Sequence, residues 1–167
     1  YPEEAVTTMD NVARSVEGDE IYRQIIEAAR APYRSSVADA LTSAAREIAE
    51  TANIAAICCF SHTGTSALLA ARERPRVPVI ALTPFAETAR RLELSWGLHC
   101  VVVKDPVNRF KEAVVSAARV AREEGFAGEN DQIVVMAGVP FNTPGSTNIL
   151  RVAVCNEKAI YEGWGEE

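Results

Sequence analysis

The residues best suited to chemistry form a hydroxyl-rich turn, Ser61-His62-Thr63-Gly64-Thr65-Ser66. The apolar run 54–60 before the turn predicts a buried strand, and the run 66–73 after it predicts a helix. A turn between a strand and a helix directs backbone N–H groups and hydroxyls at one small volume, and the helix start adds positive potential there. Because these groups can hold an anion with little help from charged side chains, the turn predicts a phosphate site. A simpler interpretation stays open, in which Thr63 or Thr65 only caps the following helix.

Two further loops leave the carboxyl ends of predicted strands, where ligands bind in open α/β sheets. Thr83-Pro84 is interpreted as only a turn before a helix. The loop 138–148 is long for a hairpin, and long ordered loops are often functional, although a simple edge hairpin stays possible.

The sequence offers no recognisable catalytic grouping. It has neither GKS or GKT nor GxGxxG, so nucleotide hydrolysis in the P-loop manner is not indicated. His62 could donate to a phosphate oxygen, whereas His99 opens a predicted strand and is interpreted as structural. No Ser/His/Asp set, and no combination of acidic metal ligands with a basic clamp, can be assembled. We therefore predict no catalytic residue and no metal site in this chain.

Composition limits the class of protein. The 167 residues are 48% hydrophobic, which predicts a globular chain, and the net charge of −6 argues against a nucleic-acid or anionic-membrane surface. Cys58, Cys59, Cys100 and Cys155 lack CxxC spacing, which favours buried thiols in a reducing compartment. No apolar run approaches the ~20 residues of a membrane span, and no signal peptide opens the chain. We expect a cytoplasmic protein.

The elements that must position the turn follow an α/β alternation. Two amphipathic helices occupy 1–34 and precede any strand. Beyond them, helices are predicted at 37–52, 66–73, 87–94 and 106–124, and strands at 54–60, 77–82, 99–103, 133–136 and 149–155. All-apolar strands alternating with helices predict a three-layer α/β/α sandwich around a mostly parallel sheet of about five strands. The last two strands are joined only by a loop, so the last strand should be antiparallel.

Seven motifs in chain order resemble the C-terminal part of pyruvate kinases. They lie at 1–9, 44–51, 61–67, 74–84, 88–92, 96–97 and 137–148, and they include Arg74-Pro75-x-x-Pro78-Val79 and Ala137-Gly138-Val139-Pro140-Phe141. The match runs from Tyr1 to about Val154, which is nearly the whole chain. The order and number of the motifs make the resemblance highly specific.

The resemblance implies a fragment of a glycolytic transferase. Pyruvate kinase transfers a phosphate from phosphoenolpyruvate to ADP, giving pyruvate and ATP, with Mg²⁺ and usually K⁺. The family's metal ligands and catalytic lysine lie in a barrel upstream of Tyr1, so the fragment should be inactive alone and need no cofactor of its own. Helices at 1–34 would belong to or lead from that barrel, 35–156 would be the C-terminal α/β domain, and 157–167 would be a tail.

The resemblance also implies a regulatory role. The family's C-terminal domain binds a sugar phosphate or nucleotide as an allosteric effector and contributes one interface of a homotetramer. The positions that match its phosphate loop are Ser61, His62, Thr63, Gly64, Thr65 and Ser66, and those that match the loop closing over the effector are Gly138, Pro144, Gly145 and Ser146. Members that respond to fructose bisphosphate often carry lysine where His62 stands and arginine where Thr65 stands. A monophosphate and a bisphosphate therefore both stay open as effector.

Two functions of other classes stay open as well. One is a stand-alone, isomerase-like enzyme of sugar phosphates, for which His62 is the only candidate base. The other is an oligomerisation module whose loops bind nothing.

Overall fold

The chain is described by a computed structural model that covers residues 1–29, 36–104, 107–141, 143 and 145–163. It divides into two compact units, Tyr1–Pro32 and Tyr33–Glu167. Several predicted features lie outside the described residues: the boundary between 1–34 and 35–156, Pro106 as the start of a helix, Pro144, and the end of the predicted tail at 164–167.

The first unit consists of helices α1 (Pro2–Glu17) and α2 (Glu20–Ala28). Pro2 at the start of α1 has the fixed φ that suits a first helical turn, and Asp19 caps α2 by accepting a hydrogen bond from the Ile21 N–H. Neither helix contains a buried residue; Val6, Met9 and Val12 of α1 are exposed, whereas Tyr22 and Ile26 of α2 are half-buried. The assignment of this unit to a catalytic barrel stays a prediction.

The second unit alternates helices and strands as the sequence predicts. Its elements in chain order are α3 (Val37–Thr51), β1 (Ile54–Phe60), α4 (Thr65–Arg72), β2 (Val79–Thr83), α5 (Ala86–Leu92), β3 (Leu98–Val102), α6 (Phe110–Glu123), β4 (Gln132–Gly138), β5 (Thr147–Val154) and α7 (Glu157–Glu162).

The five strands form one sheet in the order β3-β2-β1-β4-β5. The first four are parallel, and β5 pairs antiparallel with β4. A crossover between parallel strands needs a helix, and the segment between β4 and β5 is too short to hold one. The predicted three-layer α/β/α sandwich with an antiparallel last strand is therefore confirmed.

The sheet separates two hydrophobic clusters, and neighbouring residues of β1 enter different ones. Cys58 packs with Val114 and Ala117 of α6, whereas Cys59 packs with Ala45 of α3 and Ala67 of α4. Successive strand residues point to opposite faces, which explains this division. The four cysteines are free thiols, and three of them are buried.

Helix α4 is anchored to α3 by a partly buried ion pair. The Arg72 guanidinium donates to the Asp39 carboxylate and to Glu73, and Asp39 is only 2% exposed. Ser36 caps α3 and also donates to Asp39. These contacts fix α4, and hence the turn at its start.

The structure differs from the predictions mainly at the ends of elements. The described part of α6 begins at Phe110 rather than at Pro106, and β5 begins at Thr147 rather than at Ile149. The predicted tail 157–167 contains the helix α7, which the sequence analysis missed. Asn156 caps this helix through the Ala159 N–H, and Ile160 is buried in the core. One buried side chain and one cap are too weak a periodic signal to predict a six-residue helix. Among the described helices, none has the length and apolar character required to cross a membrane.

Candidate functional site

A cavity of about 360 Å³ lies at the carboxyl ends of the parallel strands. The turn after β1, the segment after β2 and the loop between β4 and β5 all line it, so the structure brings together the three loops that the sequence singled out. Lining residues from these loops include Ser61, His62, Thr63, Thr65, Ser66, Thr83, Pro84, Phe85, Gly138, Gly145 and Ser146. Pro144 lies outside the described residues.

Gly64 determines the shape of the first turn. It is the N-cap of α4 with φ +83°, a left-handed conformation that disfavours other residues. A Cβ at this position would lie 2.8 Å from Cδ2 of the buried Leu92. Ser61 supports the turn, since its Oγ accepts a hydrogen bond from the Gly64 N–H at 3.0 Å. A side chain here would have to adopt an unfavourable dihedral angle and displace Leu92, so the position favours glycine.

Neither Thr63 nor Thr65 caps α4, so the interpretation of these two residues as helix caps is wrong. Gly64 is the N-cap residue and has no side chain, and within the described residues no backbone N–H of α4 donates to the hydroxyl of Thr63 or Thr65. Thr63 and Thr65 instead bond to each other through their hydroxyls at 2.9 Å, and both are exposed. The first N–H groups of α4 therefore have no hydroxyl cap competing with an anion.

Ser66 connects the first loop to the third. Its Oγ shares a buried hydrogen bond with Oγ1 of Thr147, the first residue of β5. Both residues line the cavity, and they belong to two different elements, α4 and β5.

His62 lies in the wall between the first and second loops. Its ring centroid is 5.5 Å from that of Phe85, and its backbone carbonyl accepts a hydrogen bond from Thr88 Oγ1 of α5. The neighbouring carbonyl, that of Thr63, accepts a hydrogen bond from Arg91. Helix α5 therefore holds the turn in place through two backbone carbonyls of the turn, those of His62 and Thr63.

The loop between β4 and β5 closes the cavity on the other side. Asn148 ties its two ends together, accepting from the Val139 N–H and donating to the Val139 carbonyl. At Gly138 a Cβ would collide with Ser146, and Gly145 has φ +77°. The glycines thus allow a tight approach of backbone segments here.

The structure also identifies cavity residues that the sequence analysis missed. Thr83, interpreted as only a turn residue, is buried at the end of β2, and its Oγ1 accepts from the Phe85 N–H. Lys104 lines the cavity two residues after β3. A signal existed for both, because they follow strands in a parallel sheet and so share its carboxyl edge with the first turn.

The wall carries little charge of its own. Among the described lining residues, Lys104 is the only one with a permanent charge, and none has a carboxylate. The described part of the chain also contains no group of three or more His, Cys, Asp or Glu side chains arranged to hold a metal ion. The described lining residues therefore do not fit a resident Mg²⁺.

Fold and cavity together define an α/β-sandwich domain with a ligand-sized cleft at the carboxyl edge of its sheet. Residues 39–153 match the family described as pyruvate kinase, alpha/beta domain. The chain belongs to this family and is a pyruvate kinase C-terminal domain.

Curated relatives agree with this assignment. The chain is 41% identical over 153 residues to a pyruvate kinase of Methylorubrum extorquens, a match that covers 92% of the chain and 32% of the relative. It is 37% identical to a pyruvate kinase of Agrobacterium vitis, covering 91% and 32%, and 32% identical to one of Staphylococcus aureus, covering 99% and 28%. The chain therefore spans about a third of the length of the relatives it matches.

Proposed function

We propose that this chain is the effector-binding and assembly domain of a pyruvate kinase and does not itself catalyse phosphate transfer. The whole enzyme would convert phosphoenolpyruvate and ADP to pyruvate and ATP, using Mg²⁺ and K⁺ held outside this chain. The observation that carries the proposal is the convergence of three strand-end loops on one cavity, with the uncapped start of α4 in its wall.

The chemistry of the first turn favours a phosphate. Hydroxyls of Thr63, Thr65 and Ser66 line the cavity beside the first N–H groups of α4. Each of these hydroxyls makes one hydrogen bond to another hydroxyl and can still donate or accept a further one. Hydrogen bonds to an ionised acceptor are about twice as strong as neutral ones, so a phosphate gains more here than a neutral ligand does.

The same geometry offers a route for allosteric coupling. A ligand that contacts Ser66 also acts on Thr147, since the two side chains are bonded to each other. Thr147 opens β5, which lies at one edge of the sheet. An edge strand presents unpaired backbone groups and is therefore a natural surface for pairing with another subunit. We propose that effector binding changes β5 and thereby a subunit interface of a homotetramer.

The exposed helices of the first unit support a second contact. Val6, Met9 and Val12 of α1 lie on one stripe and are each 58–62% exposed. We propose that this stripe packs on the catalytic barrel of the whole enzyme.

The binding proposal is tested with the double variant Thr63→Ala/Ser66→Ala. We expect its affinity for glucose 6-phosphate, measured by calorimetry, to fall by about a hundredfold or more, since two hydrogen bonds to a charged group are lost at about 1.5 kcal/mol or more each. The matched control is Thr8→Ala/Thr51→Ala, which removes two hydroxyls that donate to carbonyls of their own helices. Equal affinity in the wild type and the site variant contradicts the assignment. Formation of ATP from phosphoenolpyruvate and ADP by the purified chain contradicts the non-catalytic role.

A further inference from the structure

We propose that Glu93 guards the edge strand β3: its carboxylate occupies the open side of the strand and prevents β3 from pairing with β3 of a second copy of this chain. Glu93 is thereby the residue that keeps an otherwise adhesive surface from its partner. Neither the residues nor the test involve a ligand of the cavity, so a failure here leaves the proposed function untouched.

Strand β3 has the composition and the position of a surface that pairs with other strands. It forms one edge of the sheet, and none of its residues is buried, whereas all five residues of β2 are. An edge strand presents backbone N–H and C=O groups to which another strand can bind. The segment 98–103 reads Leu-His-Cys-Val-Val-Val, which is rich in β-branched residues and contains no Pro, Gly, Asp, Glu, Lys or Arg. Such segments associate readily through β-pairing when they are exposed.

The hydrogen bonds to β2 show which backbone groups of β3 point to the open side. The Val79 N–H donates to the Gly97 carbonyl. At the other end, the Val103 N–H donates to the Thr83 carbonyl. The odd-numbered residues of 97–103 therefore direct their backbone groups to β2. Because this direction alternates along a strand, the even-numbered residues direct theirs to the open side, where a further strand would bind.

The segment just before β3 already occupies this open side. The Cys100 N–H donates to Oε1 of Glu93 at 3.2 Å, and the Leu98 N–H donates to the Ser95 carbonyl at 3.4 Å. A second strand needs the same two N–H groups and has to displace both contacts. In a two-fold pair centred near Cys100, the two Glu93 carboxylates would also meet, and like charges opposite each other are destabilising.

The surroundings of Glu93 hold its carboxylate in this place. Glu93 is the C-cap residue of α5, and the preceding Leu92 is only 1% exposed, so the end of the helix is anchored in the core. The thiol of Cys100 is half-buried beneath the carboxylate; burial raises its pKa to about 11, and the charge and hydrogen bonding of Glu93 add to the rise. With β3 guarded, the opposite edge, β5, is left for the subunit pairing proposed above.

The variant Glu93→Ala tests the guard by sedimentation velocity of the purified chain over a wide range of concentration. We expect species of about twice the mass of the wild-type species to appear as concentration rises, because an isologous edge-to-edge contact joins two copies. The matched control is Glu87→Ala, which removes the same charge from an exposed residue in the first turn of the same helix. This control should sediment as the wild type does.

A second change identifies the strand through which the copies pair. Val102 is 39% exposed and its N–H points to the open side, so Val102→Pro removes no bond to β2 but bars a further strand. Val102→Lys is the second blocking variant, since it places a charge on the edge and leaves the backbone unchanged. Each change, added to Glu93→Ala, should restore wild-type sedimentation. The guard is overturned by wild-type sedimentation of Glu93→Ala, by equal association of Glu87→Ala, or by association that persists in both double variants.

Discussion

Ser66 and Thr147 stand 81 positions apart and share a buried hydrogen bond between their hydroxyls. The bond joins the first turn of α4 to the first residue of β5, and both residues line the cavity. This bond therefore links the loop after β1 to the loop between β4 and β5, which are two of the three loops that line the cavity.

We expect Ser66→Ala and Thr147→Val each to lower the free energy of unfolding by about 1–3 kcal/mol, because each leaves a buried hydroxyl without its partner. The double variant should lose less than the sum of the two, giving a coupling of about 1 kcal/mol in a double-mutant cycle measured by urea denaturation. Thr51→Val is the control, since its exposed hydroxyl donates only to the Glu47 carbonyl of the same helix. Strict additivity of the two single changes would contradict a direct bond.

Gly64 and Gly125 allow backbone strain to be distinguished from steric collision. Both have positive φ, +83° and +77°, but a Cβ on Gly64 meets Leu92 whereas one on Gly125 meets nothing within 4 Å. Gly125→Ala should cost about 1–2 kcal/mol for the left-handed conformation alone. Gly64→Ala should cost about 1–3 kcal/mol more, because the buried Leu92 must move. Guanidinium denaturation measures the free energy of unfolding of both variants. Equal losses in the two variants would show that Leu92 moves aside at no cost and would contradict the predicted steric collision.

The buried thiols predict a loss of stability at alkaline pH. Burial raises the pKa of Cys59 from 9.0 to about 12, and burial also raises the pKa of Cys58. Well below pH 9 the thiols are protonated in both the folded and the unfolded state and contribute no pH dependence. Above pH 9 the unfolded state loses its protons first, so the free energy of unfolding should fall by about 1.4 kcal/mol per pH unit for each such thiol, up to the folded pKa.

Cys59→Ala should reduce the pH dependence of the free energy of unfolding between pH 9 and 12 by about the contribution of one thiol. The packing that the substitution loses shifts this free energy by the same amount at every pH, so it does not affect the slope. Val134→Ala is the control, because it removes volume from the same buried cluster and leaves every thiol in place. Urea denaturation across this pH range measures both variants. An unchanged slope in Cys59→Ala would contradict the raised pKa.

Local pattern was enough to predict most of the fold. The all-apolar run at 54–60 and the absence of a helix between β4 and β5 are properties of short segments, and they predicted the parallel sheet and its antiparallel last strand. The turn at 61–66 could be found in the same way, since a strand, a glycine and a helix start are all local signals. Helix α7 was missed because its stability comes from the burial of Ile160, which is a tertiary contact.

The sequence by itself determined the α/β alternation, the family and the turn that could hold a phosphate, because periodicity and motif order are written along the chain. Only the tertiary structure decided which distant residues meet that turn. Parallel pairing brings the ends of β1, β2 and β3 to one edge, and so places Ser61, Thr83 and Lys104 in the wall of one cavity. The hydrogen bond between Ser66 and Thr147 has the same origin. The two residues come together only when the sheet forms, so nothing in the local sequence around either of them predicts the other as its partner.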